Sequence, residues 1–203
     1  MDLTEQGIKE GVEAGQLMSQ AGLVPTIAFA SVLKRAVKTL DLALYEMGLS
    51  WITVKKSWRL NERHYGSLQG LNKAETALRY GDEQVKLWRR SFDVPPPPLQ
   101  PHDMAELLGD LRYRRVAREL LPQTECLKDV LERMMPFWYD ELVPKLLEDE
   151  TVLVSAHGNS IRALVKHLEN VSDNDIVNYE IPNGVPIVYE LDDTLGVKSK
   201  SNL

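Results

Sequence analysis

His157, Gly158 and Asn159 stand between an apolar run at residues 151–156 (TVLVSA) and a stretch with helical spacing at 161–168 (IRALVKHL). A short β-branched run reads as a buried strand and HGNS as a turn, so His157 falls at the carboxyl end of a strand and just ahead of a helix. In open parallel α/β sheets ligands bind outside those strand ends, and the free N–H groups of the next helix face an anion. Such a setting suits phosphate chemistry. Arg35 occupies a matching position, in the first turn after the apolar run at 25–30 (PTIAFA). Arg35 offers a two-pronged guanidinium, His157 a donor, Gly158 and Asn159 further N–H groups, and Lys73, Arg89 and Arg90 more positive charge. Glu62 is the only carboxylate in the loop at 57–70 and is suited to moving a proton. Structural readings stand beside these: a satisfied histidine after a strand, and Glu62 as partner of Arg59 or Arg63.

Other chemistries find less support. His64, His102, His157 and His167 include no pair at i, i+4, so no metal site is expected. Ser160 lacks the G-x-S-x-G elbow of a serine nucleophile. The net charge of -6 argues against nucleic acid as a general partner, yet residues 31–90 hold twelve Lys and Arg against six Asp and Glu, which points to a local anion site. The bland alternative is a set of solvated helix faces. The single cysteine, Cys126, cannot form an internal disulfide, and the sequence shows neither a membrane-length apolar run nor a basic and then apolar leader. A cytoplasmic setting, without membrane partners, is the expectation.

A length of 203 residues with 43% hydrophobic and 27% charged residues fits a single domain, 1–203. The elements that must position the candidates alternate. A helix at 2–21, capped by Thr4, precedes the strand at 25–30, and Ser31 caps a helix reaching Leu44. Residues 51–54 (WITV) are a third strand, Asn72 caps a helix from Lys73, and Asp82 caps one carrying Arg89 and Arg90. Pro95 to Pro98 must be extended, and 93–116 reads as a long insertion, a lid or linker. Thr124 caps one long amphipathic helix with Leu127, Val130, Leu131, Met134, Trp138, Leu142 and Leu146. A short helix at 172–178 and a last strand at 186–191 (PIVYEL) follow. Alternation predicts an α/β fold with a mostly parallel sheet and helices on both faces.

Longer runs then carry a resemblance: SVLKRA (31–36), SWRLNERHYGSLQGLNKAET (57–76), YGDEQVKLWRR (80–90), PPPP (95–98), SAHGNSIRALVKHLE (155–169) and IPNGVPIVYEL (181–191). From residue 2 to about 193 the chain resembles the cofactor-dependent phosphoglycerate mutases of the histidine phosphatase superfamily. The resemblance implies interconversion of 3-phosphoglycerate and 2-phosphoglycerate through a phosphohistidine, primed by 2,3-bisphosphoglycerate and without metal. It implies that Arg35 and His157 contact the transferring phosphoryl group and that Glu62 moves the hydroxyl proton. Arg63, His64, Tyr65, Lys73, Arg89, Arg90, Gly158 and Asn159 would hold the substrate, a small phosphorylated three-carbon acid, in a homodimer. Two departures stand out. The family's opening strand, with the Arg-His-Gly that carries the nucleophilic histidine, is not in this sequence, and 194–203 differ from the family's closing segment. The chain is therefore expected to lack the mutase cycle, as a truncated mutase or as a non-catalytic binder of phosphorylated acids, and to leave strand edges unpaired.

Overall fold

A computed structural model describes residues 2–203, with the side chain of Lys73 outside the description. Three parallel strands, β1 (Ile27–Ala30), β2 (Thr53–Lys56) and β3 (Val152–Ser155), form a sheet in the order β2-β1-β3. Central β1 pairs Ile27 with Thr53 and Val152, and Ala30 with Lys56 and Ser155. Successive β1 side chains point to opposite faces. Ile27 and Phe29 join a core with Leu60, Leu127, Val130, Met134 and Ala163, while Ala28 and Ala30 join a second core with Leu40, Leu44 and Ile52. Helix α2 (Lys34–Glu46) covers the second face, with α1 (Glu5–Gln20) packed against it; α6 (Leu127–Phe137) and α8 (Gly158–Glu169) cover the first. Burial on both sides is why β1 is apolar at every position. Gly15 lets α1 approach α2 closely, because a Cβ there would meet the Ala43 carbonyl oxygen at 2.6 Å.

Between these lie α3 (Lys73–Tyr80), α4 (Asp82–Arg90), α5 (Pro101–Gly109) and α7 (Val143–Leu147), and the chain closes with β4 (Ile187–Leu191) and β5 (Val197–Asn202). Thr4 and Asn72 cap α1 and α3 as their spacing predicts. Several boundaries differ from expectation. β2 begins two residues late, at Thr53, where pairing with Ile27 of β1 starts, and the strand is a polar edge ending in Lys55 and Lys56. Ser31 does not cap α2, whose N-cap is Leu33, and Asp82 lies within α4 behind Gly81. Cys126 caps α6 in place of Thr124, with the Cys126 N–H donating to Asp129 at 2.8 Å. The long helix is broken by a π turn at Trp138–Leu142 between Pro136 and Pro144, which lack the N–H groups a continuous ladder needs.

The segment at 93–116 is only partly a loop: α5 lies within it and buries none of its nine residues. The expected last strand does not extend the parallel sheet. β4 instead forms an antiparallel pair with β5, closed by Asp192, whose carboxylate accepts from the N–H groups of Thr194 and Gly196. Between β3 and β4 lies an elongated apolar slot of about 800 Å³, lined by Val152, Val154, Leu164, Leu168, Val188 and Leu191 among others. Among the described residues the parallel sheet pairs β3 on one edge alone, so its second edge faces this slot.

Candidate active site

The site gathers at the carboxyl ends of β1 and β3. Immediately after β1, Ser31 is fully buried, and its Oγ accepts from the Leu33 N–H at 3.1 Å and lies 2.8 Å from His157 Nε2. Arg35, one turn on, donates from Nε to His157 Nδ1 at 3.0 Å. A guanidinium can only donate, so Nδ1 carries the lone pair and Nε2 the proton, which Ser31 accepts. Burial, then the nearby cations Arg35 and Arg133, push the His157 pKa down to about 3. His157 is therefore a neutral ring with both nitrogens engaged. Its N–H and carbonyl are tied to Ser160 Oγ, which also donates to the Leu60 carbonyl, so the turn ahead of α8 is fixed to the loop after β2.

That loop is held by groups with no local signal in the sequence. Asn61 accepts from the Val32 N–H at 3.1 Å and donates to the Tyr113 hydroxyl at 2.9 Å. Arg133, from α6, donates to the carbonyls of Arg59 and Asn61 and pairs with Glu125, and both members are almost wholly buried. Glu125 in turn accepts from the His64 N–H at 2.7 Å. Gly66, with φ of 55°, packs where a Cβ would lie 2.0 Å from the Pro97 carbonyl oxygen, and Thr124 donates to the Pro96 carbonyl. The proline run is thus a brace behind the loop.

Glu62 faces Asn159 across this frame. Asn159 donates from Nδ2 to Glu62 Oε1 at 2.8 Å and to the Tyr65 hydroxyl at 3.0 Å. Glu62 Oε1 also accepts from the Arg63 N–H at 2.8 Å, and the described contacts leave Oε2 uncommitted. Neither Arg59 nor Arg63 forms an ion pair with it among the described residues; Arg59 donates to the Arg133 carbonyl. Beyond Asn159 opens a cavity of about 540 Å³ lined by Tyr65, Lys86, Arg89, Arg90, Gly158 and Asn159 together with acidic Asp82, Glu83 and Glu180. Arg89 and Arg63 lie over the Tyr65 ring, at 5.3 and 4.6 Å from its centre, and Arg90 pairs with exposed Glu180 at 2.9 Å.

The expected residues thus sort into three settings. Arg35 and His157 touch; Glu62, Tyr65 and Asn159 form one hydrogen-bonded set; and Arg89, Arg90 and Gly158 line the adjoining cavity. Arg63 and His64 turn inward: Arg63 donates to the Arg89 carbonyl, and His64 Nδ1 accepts from the Gly66 N–H. Burial lowers the His64 pKa despite Glu125. The Lys73 side chain lies outside the described residues. Spacing misses Ser31 as a partner of His157, along with Asn61, Glu125 and Arg133. Only Arg162, three residues after Asn159 on α8, had a signal to follow, a cation on the helix face that carries the motif.

Cations and the N–H groups of the α8 N-terminus on the wall of this cavity suit an anionic ligand. Among the described residues no helix is long and apolar enough to cross a membrane.

Comparison with known proteins gives the family and the fold. The family model for the histidine phosphatase superfamily, branch 1, matches residues 1–120 and 110–202, running through the closing hairpin. A 2,3-bisphosphoglycerate-dependent phosphoglycerate mutase from Thermobifida fusca is 53% identical over 193 residues, which span 95% of this chain and 78% of that enzyme. The native structure of a mycobacterial glucosyl-3-phosphoglycerate phosphatase superposes with a TM-score of 0.69 at 22% identity, over all of this chain and 86% of the other. An α-ribazole phosphatase from Shigella flexneri gives 0.64 at 15%, over 95% and 80%. At such identities these two structures speak to the fold, which is that of the phosphoglycerate mutases. The sequence match and the fold together place the chain in the histidine phosphatase superfamily.

Proposed function

We propose that these residues are the substrate-holding part of a 2,3-bisphosphoglycerate-dependent phosphoglycerate mutase site, whose interconversion of 3-phosphoglycerate and 2-phosphoglycerate passes through a phosphohistidine that is not one of the four histidines in this sequence. The observation that supports it most is the pairing of two unlike clusters across Asn159: Ser31, His157 and Arg35 on one side, and Glu62 with an uncommitted Oε2 on the other. Arg35 still has its terminal N–H groups for a phosphoryl oxygen, which Lys or a neutral donor would hold less rigidly. An incoming dianion also reverses the electrostatics around His157, since negative charge nearby favours the imidazolium. His157 then becomes a charged donor as charge develops on the transferring group. Glu62 takes the proton of the hydroxyl that gains the phosphoryl group and returns one to the hydroxyl that loses it. The primer, 2,3-bisphosphoglycerate, would be held by Arg35 at one end and by Arg89 and Arg90 at the other.

None of the four histidines in this sequence is placed to carry the phosphoryl group. Both His157 nitrogens are engaged, His64 is tied into its loop, His102 pairs with Asp103 on the surface, and His167 packs against Trp138 and Tyr139. Incubating the 203-residue chain with 2,3-bisphosphoglycerate should therefore give saturable binding, lost in Arg35→Ala, without acid-labile phosphohistidine. Stoichiometric labelling abolished by His157→Ala would make His157 the nucleophile, and binding unchanged in Arg35→Ala would move the site elsewhere.

A further inference from the structure

Arg162 is 4% exposed, yet it lines the cavity beside Asn159. Its Nε has no hydrogen-bond partner, and among the described residues the side chain makes no ion pair. A buried guanidinium without a carboxylate is costly, so a protein that keeps one has a use for it when something anionic arrives. Its one described contact is from Nη2 to Asn159 Oδ1 at 2.9 Å. That contact follows from helix geometry, because long side chains on a helix lean back toward its N-terminus. Arg162 sits on the second turn of α8 and so delivers its guanidinium over the first, where the N–H groups of Gly158 and Asn159 are free of helical partners. Burial, then the cations Arg63 and Arg90, lower its pKa from the usual arginine range, with Glu62 and Tyr65 acting the other way. Arg63 is also buried with unpartnered nitrogens, but it lies over the Tyr65 ring and does not line the cavity.

We propose that Arg162 is the residue that reads the carboxylate of the bound phosphoglycerate, closing on it from the α8 side of the cavity while Arg35 holds the phosphoryl end. A planar guanidinium can meet a carboxylate with two parallel bonds, and the α8 N-terminus adds N–H donors to the same group. This rests on the phosphoglycerate reading of the site. It deepens that reading by making one unassigned arginine the source of discrimination between a phosphorylated acid and a phosphorylated alcohol.

The test compares 3-phosphoglycerate with glycerol 3-phosphate, which lacks only the carboxylate, by titration calorimetry on the wild-type chain, Arg162→Met, Arg162→Lys and Arg35→Ala. The wild type should prefer 3-phosphoglycerate by about 10- to 100-fold, the range of a charged hydrogen-bonded pair. Arg162→Met should bind both ligands as the wild type binds glycerol 3-phosphate, and Arg162→Lys should recover only part of the preference. The melting temperature of Arg162→Met should be unchanged or higher, since an uncompensated buried charge has gone. Full preference retained in Arg162→Met would overturn the proposal, and so would equal loss of both ligands, which would mean that Arg162 acts only by orienting Asn159. A large drop in melting temperature would make the side chain structural and also overturn it. Arg35→Ala separates the two levels: if it leaves both affinities unchanged, the phosphoglycerate reading itself fails, whatever Arg162 does.

Discussion

β3 ends in one environment and runs through another. At its carboxyl end, Ser155 donates to the Ala36 carbonyl, His157 is held on both ring nitrogens, and the facing loop is fastened through Asn61, Arg133 and Ser160 to three other segments. Along its outer edge the same strand meets an apolar slot and, among the described residues, gains no ladder. Register partners show the contrast: Phe29 and Ala28 on β1 are fully buried, whereas Val154 and Leu153 opposite them are only partly so. The site is thus rigid through polar contacts from distant segments, while the strand that delivers it is supported from one side. Geometry at His157 should accordingly depend more on the clamp than on the packing of β3.

The sharpest way to break that inference is Arg133→Ala. Removing it strands buried Glu125 and frees the Arg59 and Asn61 carbonyls, so unfolding free energy should fall by about 3–5 kcal/mol and 3-phosphoglycerate binding should vanish with it. Urea titration and calorimetry measure the two effects. Adding Glu125→Gln to Arg133→Met should recover part of the loss by removing the abandoned charge. A change under about 1 kcal/mol in Arg133→Ala would mean that the loop holds itself.

A smaller effect sharpens the same contrast through pH. His157 binds its proton at about pH 3 when folded, against 6.5 ordinarily, so the unfolded chain holds more protons between those values. Stability from this group is therefore complete above about pH 6.5 and is lost as pH falls toward 3. From pH 7 to 5 the loss should be about 2 kcal/mol, at about 1.4 kcal/mol for each unit crossed below the ordinary value. His64 and His167, also lowered by burial, act in the same direction, so the measured quantity is the difference between wild type and His157→Gln in the pH slope of urea unfolding. Equal slopes would show that His157 is not buried as a neutral ring.

How much of this could be read in advance follows the reach of each interaction. β1, β3, α2 and α8 were legible because their periods are local, and the strand-end positions of Arg35, His157 and Asn159 came with them. The break at Trp138–Leu142 was hidden because Met134, Trp138, Leu142 and Leu146 keep a spacing of four straight across it. β5 was missed because Val197–Asn202 is polar at nearly every position and is a strand only by pairing with β4. Ser31 looked like a cap because serine so often is one, and a partner far along the chain, His157, claimed its hydroxyl. Arg133 and Glu125 carry no motif at all; their role exists only once α6 lies against the loop after β2.

The smallest effect is the most direct probe of the slot. Val154→Ala removes two methyl groups from a side chain that packs on the Phe29 core yet also lines the cavity between β3 and β4. A fully buried valine such as Val130 contributes transfer free energy on all sides, and truncating it also leaves a cavity that neighbours fill poorly. Val154 already borders empty space, so its loss enlarges a cavity instead of opening one, and part of its surface was never removed from water. The cost should be about 1 kcal/mol, less than half that of Val130→Ala measured in parallel by urea unfolding. Backbone amides of β3 should also exchange with solvent faster than those of β1, which is paired on both edges. If Val154→Ala costs as much as Val130→Ala and β3 amides are as protected as those of β1, the slot is closed in solution, and the contrast between the fastened end of β3 and its free edge disappears.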